Sequence, residues 1–449
     1  MCNQSFCFYH YDRNSRACHK GKNEKGKCIS FGWETWYEPE ISQIIQLLDP
    51  VLIKAEVESL RPGYKVSKID IPTSSKRFSA EFQGSCNFHV KINFKEQAEP
   101  WIMRIRRRAA HRYPDQPLTI NMASEVATIR ALRSGDLDVP DAYLRPKDSQ
   151  LHPKLIYCYQ TWVPGDMWRP FYGRDAKSLP LDTTSLHHVE CVAQWFITME
   201  KVKFDMVGSL AHSDDEREAM IHVGPLIERH PAFTTPPYFQ GPFRTAKNRW
   251  VASIDKRLER ILAGVECQPR TEIVLYLIYL EAKQLVEGCA ELEDIGPFYI
   301  KHDDDRFDHI RANPDGEVTG ILDWEWAYTT NEAEAFAAPS GWVSEDYRAG
   351  SNDTLSPREM ALIEAYIKDG RSDLADYVKS GRKYHRLVDL LRYDDPSVIR
   401  FNALERAFLD LPDSHTEQSN TVEEWVAIRK EKYKDDEDWK NLLKLLLFK

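Results

Sequence analysis

Apolar and polar positions alternate between residues 87 and 108, and they do so with the period of a strand. In FHVKINF, Val90, Ile92 and Phe94 alternate with His89, Lys91 and Asn93. In WIMRIRR, Trp101, Met103 and Ile105 share one face and Ile102, Arg104 and Arg106 the other. Arg77 to Phe82 (RFSAEF) precedes the turn residues Gly84-Ser85-Cys86-Asn87. Together these runs predict three short antiparallel strands. Upstream, from about Ser42 to Leu60, the period lengthens and predicts a helix interrupted near Pro50.

A second helix is predicted from Asn121 to Arg133, with Met122, Val126, Ile129 and Leu132 near one stripe. Glu125 borders that stripe, so its carboxylate faces the sheet rather than open water. Asp138-Val139-Pro140 begins an extended segment, and Leu155 to Asp166 (LIYCYQTWVPGD) reads as a strand ending in a Pro-Gly break. Beyond the break the pattern turns helical, most clearly at Leu186 to Met199, Lys247 to Leu262 and Glu272 to Val286. A proline-rich loop region spans about Pro225 to Phe243. The last sixty residues are charged and helical, and NLLKLLLFK reads as a packed terminal helix rather than a membrane anchor. The expected organisation is an extension over 1–41, a sheet-rich lobe over 42–164, a helical lobe over 165–390 and a helical segment over 391–449.

The stretch Phe298 to Tyr328, FYIKHDDDRFDHIRANPDGEVTGILDWEWAY, carries the chemistry. Two acidic clusters, His302-Asp303-Asp304-Asp305 and Asp323-Trp324-Glu325, flank the turn signal Asn313-Pro314-Asp315-Gly316. FYIKH and EVTGILDW read as strands, so a hairpin is expected to bring Asp304 and Asp323 into one neighbourhood. Carboxylates held that way suit phosphoryl transfer, one orienting and deprotonating a hydroxyl and the other holding magnesium. A cation on the nucleotide phosphates needs a counter-ion to fix it, and Arg104 with Glu125 could supply that pair. His302 is expected to hold the loop by hydrogen bonds rather than act as a base.

These residues resemble the aminoglycoside phosphotransferase and choline kinase-like family, of protein-kinase-like fold, and most closely its fungal aminoglycoside-phosphotransferase-like subgroup. The resemblance covers about residues 75 to 345. Family members carry H-G-D or C-D-D, then L-x-x-x-N, then I-I-D-W-E; here HDDDRFDHI and ILDWEWA stand in those places. The resemblance implies Asp304 as catalytic aspartate, Asp323 as metal ligand, Arg104 as nucleotide-binding cation and Glu125 as its helix partner. It places Gly84, Ser85 and Asn87 in a short phosphate-covering turn, and Trp162 in the linker where Gln160 to Val163 would meet adenine. ATP would lie in the cleft between the lobes, with magnesium. One position departs from the family: His309 stands where an asparagine usually ligates the second magnesium. Imidazole is a poor substitute for an amide oxygen. That leaves one well-held ion, manganese with His309 as ligand, an oxygen from Asp308, or a protein that no longer transfers phosphate.

Composition narrows the remaining choices. The chain has 449 residues, 42% hydrophobic and 29% charged, with 60 Lys+Arg against 70 Asp+Glu for a net charge of -10. That balance argues against a nucleic-acid partner. The longest apolar run, Ile273 to Leu280, is eight residues where a bilayer span needs roughly 20, so no membrane span is expected. The first residues lack a basic start followed by an apolar stretch, so no secretory signal is expected. Nine scattered cysteines read as reduced thiols in the cytoplasm. Cys2, Cys7, Cys18 and Cys28, at intervals of five, eleven and ten, match no familiar zinc spacing. Nor is there a G-x-S-x-G elbow, an H-E-x-x-H or a Rossmann glycine triplet. The expectation is an α+β, two-lobed protein-kinase-like fold, with a small antiparallel-sheet lobe and a larger helical one. It would be an ATP-dependent phosphotransferase acting on a hydroxyl of a small-molecule substrate. The alternative keeps the fold without phosphotransfer, as a nucleotide-binding pseudokinase or a repurposed cleft. The acceptor pocket falls within residues 186 to 290, where no motif names a chemical class.

Overall fold

The computed structural model describes residues 21–22, 28–29, 34–72, 86–95, 98–108, 113–167, 180–213, 220–230, 233–265, 271–305, 309–392, 397–415 and 421–447. Arg77 to Phe82, Gly84, Ser85, Asp308 and the cysteines at 2, 7 and 18 lie outside these residues. The chain divides into two compact units, residues 1–115 with 143–162, and residues 116–142 with 163–449.

In the first unit, α1 (Glu34–Leu47) and α2 (Pro50–Leu60) meet at Asp49. The Asp49 side chain accepts hydrogen bonds from the Val51 and Leu52 amides, and Pro50 occupies the first helical turn where no amide is needed. The break seen in the sequence is therefore a capped helix start. The strands are β1 (Gly21–Lys22), β2 (Cys28–Ile29), β3 (Val66–Asp70), β4 (Asn87–Phe94), β5 (Trp101–Arg106), β6 (Ala142–Leu144) and β7 (Tyr157–Thr161). Five of them form one sheet in the order β3-β4-β5-β7-β6, antiparallel from β3 through β7.

Val90, Ile92, Trp101, Met103 and Ile105 are all buried, in one cluster with Ile53 and Val57 of α2. Behind the sheet, the Tyr157 and Tyr159 hydroxyls both donate to Glu56 Oε1, at 2.6 and 2.9 Å. The polar face of β5 is buried as well as its apolar face. Arg106 donates to Asn87 Oδ1 at 2.7 Å, and Arg107 reaches Glu40 at 3.1 Å. A buried guanidinium needs such partners, and alternation alone does not reveal them.

The second unit holds α3 (Asp115–Ser134), which is longer at its start than the periodicity predicts, then α4 (Thr183–Met199), α5 (Ala246–Leu262) and α6 (Glu272–Gly288). After these come the short α7 (Glu332–Ala335), then α8 (Pro357–Lys368), α9 (Ser372–Ser380), α10 (Arg382–Arg392), α11 (Val398–Phe408), α12 (Val422–Lys432) and α13 (Glu437–Leu447). A core formed by α5, α6, α10 and α11 also takes in Trp425 and Trp439, so the charged C-terminal helices bury their aromatic faces. Among the described residues no helix is long and apolar enough to cross a membrane.

Short strands complete this unit: β8 (Asp166–Met167), β9 (Lys203–Phe204), β10 (Ser209–His212), β11 (Ile221–Gly224), β12 (Phe298–Lys301), β13 (Ile310–Ala312), β14 (Val318–Ile321) and β15 (Tyr328–Thr330). They form sheets ordered β15-β12-β9, β14-β13-β8 and β10-β11. The architecture is thus α+β, with antiparallel sheets and many helices.

Two buried histidines make this unit sensitive to acid. Burial pushes His188 and His385 down to about 4, although each ring donates to a carbonyl, of Gly316 and Ala338 respectively. The unfolded value is about 6.5, so the folded state resists the proton. Their stabilisation is complete above pH 6.5 and is lost as the pH falls from there toward 4. At pH 5 each should cost about 2 kcal/mol, the linkage for a gap of this size. Urea unfolding at pH 7.5 and 5 should show the drop, and His188→Gln should make it shallower. Equal slopes in the two proteins would rule out His188 as a source.

Candidate active site

The turn at Asn313-Pro314-Asp315-Gly316 forms as its residues require. Asn313 Oδ1 accepts from the Asp315 and Glu317 amides, both at 3.0 Å, and Gly316 takes φ +92°. It closes β13 onto β14, with Ile310 opposite Ile321. The expected pairing of FYIKH with EVTGILDW is corrected here. Phe298–Lys301 instead pairs with Tyr328–Thr330 and with β9. The reason is spacing: the turn folds back on the three residues nearest it and leaves β12 to a later strand. The Pro-Gly break has a local role too. Gly165 takes φ +95°, and a Cβ there would stand 2.6 Å from the Ala312 carbonyl, so only glycine lets β8 reach β13.

Despite the different pairing, the two acidic segments are tied together. His302 donates from Nε2 to the Leu322 carbonyl at 2.9 Å, and its Nδ1 accepts the Asp304 amide at 3.2 Å. These bonds assign the neutral tautomer with its proton on Nε2. One imidazole therefore fixes the backbone of Asp304 and the residue preceding Asp323. His309 is buried and stacks on His302, centroids 4.1 Å apart, with Trp324 on the same ring at 4.7 Å. Asp323 has φ +66° and Trp326 φ +69°. Aspartate tolerates the left-handed region, whereas a tryptophan there is a true outlier, and such outliers concentrate at functional sites. Trp324 and Trp326 are buried, the former donating to the Ile321 carbonyl and stacked on Trp195.

Three features of the acidic loop are not visible in the sequence. Arg229 Nη1 donates to Asp304 Oδ2 at 3.1 Å, from the proline-rich stretch 75 residues earlier. Asp305 is buried against Lys301, with Nζ 2.6 Å away, and also accepts the Ser340 amide at 3.0 Å. Burial raises the Asp305 pKa, but Lys301 and Ser340 outweigh it and hold the carboxyl below the usual carboxylate range. Its backbone carbonyl takes the Gly341 amide as well. The third aspartate of the run is thus an anchor. Glu200, Glu332 and Asp373 also converge, but Arg371 binds Glu200 and Asp373, and Tyr377 donates to Glu332.

The remaining candidates are distributed over both units. In the first, Arg104 is buried on β5, 3.4 Å from His89 Nε2; Asn87 begins β4; and Trp162 is exposed with the Lys91 ammonium 4.3 Å from its ring centre. The Trp162 amide is taken by the Pro100 carbonyl at 2.8 Å. In the second, Glu125 is buried in α3.

No family model matches the chain. No curated protein sequence matches it either. Solved structures that align with it include a Ralstonia eutropha protein assigned as an aminoglycoside phosphotransferase, at 14% identity, over 88% of this chain and 98% of that one, with a TM-score of 0.41. A Plasmodium vivax ethanolamine kinase aligns at 11% identity over 78% and 80%, TM-score 0.40. A type I macrolide 2′-phosphotransferase does so at 14% over 82% and 99%, TM-score 0.38. Likenesses this weak establish neither a fold family nor a substrate.

The Lys301–Asp305 pair yields a direct test. Asp305→Ala strands a buried ammonium and should cost about 3–5 kcal/mol in urea unfolding. Replacing both residues, as Lys301→Met with Asp305→Leu, should cost less than the single change. If the double variant is the less stable of the two, the pair is not the anchor described.

Proposed function

We propose that the chain is an ATP-dependent phosphotransferase of protein-kinase-like fold that acts on a hydroxyl of a small molecule. The observation that supports this most is the double hydrogen bond of His302, to the Asp304 amide and the Leu322 carbonyl. It locks together the segments that supply two carboxylates with different tasks. In this reading the acceptor hydroxyl oxygen attacks the γ-phosphorus and a new phosphoester bond forms. The bond from that phosphorus to the departing ADP breaks, and the hydroxyl proton passes to the Asp304 carboxylate. Arg229, already beside Asp304, orients that carboxylate before the acceptor arrives.

Asp323 offers the hard oxygen that magnesium prefers, while His309 offers a buried imidazole already stacked on a neighbour. This donor set fits a single magnesium on Asp323; manganese accepts nitrogen more readily and would be the ion if His309 takes part. When bound, the ion neutralises charge on the nucleotide phosphates. Arg104 and Glu125 are proposed to serve those phosphates, Gly84, Ser85 and Asn87 to cover them, and Trp162 to adjoin the base. The second reading is a nucleotide-binding protein without transfer, and His309 is the residue that favours it.

Calorimetric titration of ATP, with magnesium and then manganese, separates these readings. Wild type should bind with a metal, and Asp323→Ala should lose that metal-dependent binding. Asp304→Asn should keep ATP binding and lose transfer by roughly a hundredfold or more, the scale of a general base. His309→Asn should speed transfer if histidine is a compromise ligand, and leave it unchanged if the site has been repurposed. No ATP binding with either metal would sink the proposal.

A further inference from the structure

Next to Asp304, within the second unit, lies a small cavity of about 40 Å³. That is room for roughly two or three water-sized spheres, or for one small charged group. Arg229, Arg249 and Arg257 line it, with Glu228, Asp303 and His230. The three arginines are not equivalent. Arg229 is bound to Asp304. Arg249 pairs with Glu334 at 2.8 Å, and its guanidinium carbon stands 3.8 Å from the ring centre of Trp250 and 4.0 Å from that of Tyr328. An aromatic pair with a carboxylate behind it is the usual receptor for an ammonium ligand. Here the chain's own guanidinium fills it.

Arg257 differs from both. It is 1% exposed, and among the described residues it has no ion pair. Its Nη atoms donate to the Ser253 carbonyl, the Ser253 hydroxyl and the Leu391 carbonyl. Its Nε is buried with no hydrogen-bond partner. Glu228 stands one hydroxyl away, accepting from Ser253 at 3.0 Å, so this carboxylate is linked to Arg257 through Ser253 and forms no ion pair with it. Of the acids on the wall, Glu228 is engaged by Ser253, while Asp303 has contacts of its own and one buried oxygen, Oδ2, that accepts no hydrogen bond. Burying a guanidinium without an anion is costly, and a bidentate oxyanion is the ligand its planar fork suits best.

Resting on the phosphotransferase reading, we infer that this cavity receives a small oxyanion carried by the acceptor, a carboxylate or a phosphate ester, with Arg257 as its principal partner. Arg229 spans the cavity and the Asp304 carboxylate. An acceptor so held presents a hydroxyl a short distance from its own negative charge. The substrate class is therefore a hydroxy acid or a phosphorylated polyol rather than an amine.

Glycolate and inorganic phosphate are the probes, each titrated calorimetrically with and without saturating magnesium-ADP, and tetramethylammonium is the control. Wild type should bind at least one oxyanion in the presence of ADP and should not bind the ammonium ion. Glycolate alone would indicate a hydroxy acid, phosphate alone a phosphate ester. Arg257→Met should weaken that binding by roughly tenfold or more, and Arg257→Lys by less, since lysine keeps the charge and loses the fork. Oxyanion binding unchanged by Arg257→Met marks an adventitious ion only and overturns the inference. Preference for tetramethylammonium also overturns it, and that comparison needs only wild-type protein. ADP binding is read separately. Its absence from wild type would defeat the phosphotransferase reading, whereas its presence with no oxyanion binding would defeat only this one.

Discussion

A single neutral imidazole carries the acidic loop. His302 uses both ring nitrogens, accepting from the Asp304 amide and donating to the Leu322 carbonyl. The Leu322 amide also donates to the His309 carbonyl at 2.9 Å, so the loop before β13 and the loop after β14 are joined at a second point. His309 stacks on one side of the ring and Trp324 packs beside it, so reorienting the imidazole would cost both contacts. Positions of Asp304 and Asp323 therefore follow from a hydrogen-bond geometry rather than from chain length. Charge arrives second. Arg229 meets Asp304, and Lys301 with the Ser340 amide meets Asp305, so two of the three aspartates in the run face a cation, which lessens their mutual repulsion.

Buried ion pairs recur through the second unit, at Arg249–Glu334 and Arg382–Glu359 as well as Lys301–Asp305. Such pairs gain little net stability, because desolvating both partners offsets most of their attraction. Their effect is on geometry. Glu334 also accepts from the Tyr328 and Thr330 hydroxyls, which binds β15 to α5 through one carboxylate. Since β15 pairs with β12, the strand leading into His302 is braced from the helix that carries Arg257.

Much of this frame was legible in the sequence. Period-two alternation located β4 and β5, and the 3.6-residue period located α3 to α6, because one buried face imposes a local signal. The turn at Asn313 to Gly316 was legible for the same reason: its hydrogen bonds close within five residues. Strand β3 was missed, since VSKID buries only Val66 fully and alternates weakly. Partner choice was missed too. Phe298–Lys301 and Val318–Ile321 were both recognised as strands, yet they belong to different sheets, and nothing within either segment states which neighbour it takes. The candidate carboxylates were legible as a motif. Arg229 and Ser340 were not, because their contacts with the loop depend on how distant segments fold back.

The same limit applies to charge. A chain at -10 suggests acidic surfaces and leaves the sign of any one pocket open. Arg249 and Arg257 sit on α5, eight residues apart and both buried, on the stripe that Trp250, Ile254 and Leu258 mark as apolar. Read as a pattern, two arginines on such a stripe look like errors of amphipathicity. Their burial becomes intelligible only through what they meet: Glu334 and two aromatic faces for one, backbone carbonyls and a cavity for the other. Inside a low-dielectric interior the groups within a few ångströms set the local potential, and the distant surplus of carboxylates is screened by solvent. A cavity lined by three arginines within an acidic protein is therefore no contradiction. Net charge speaks for the surface, and the residues that break a helix's hydrophobic pattern speak for the site.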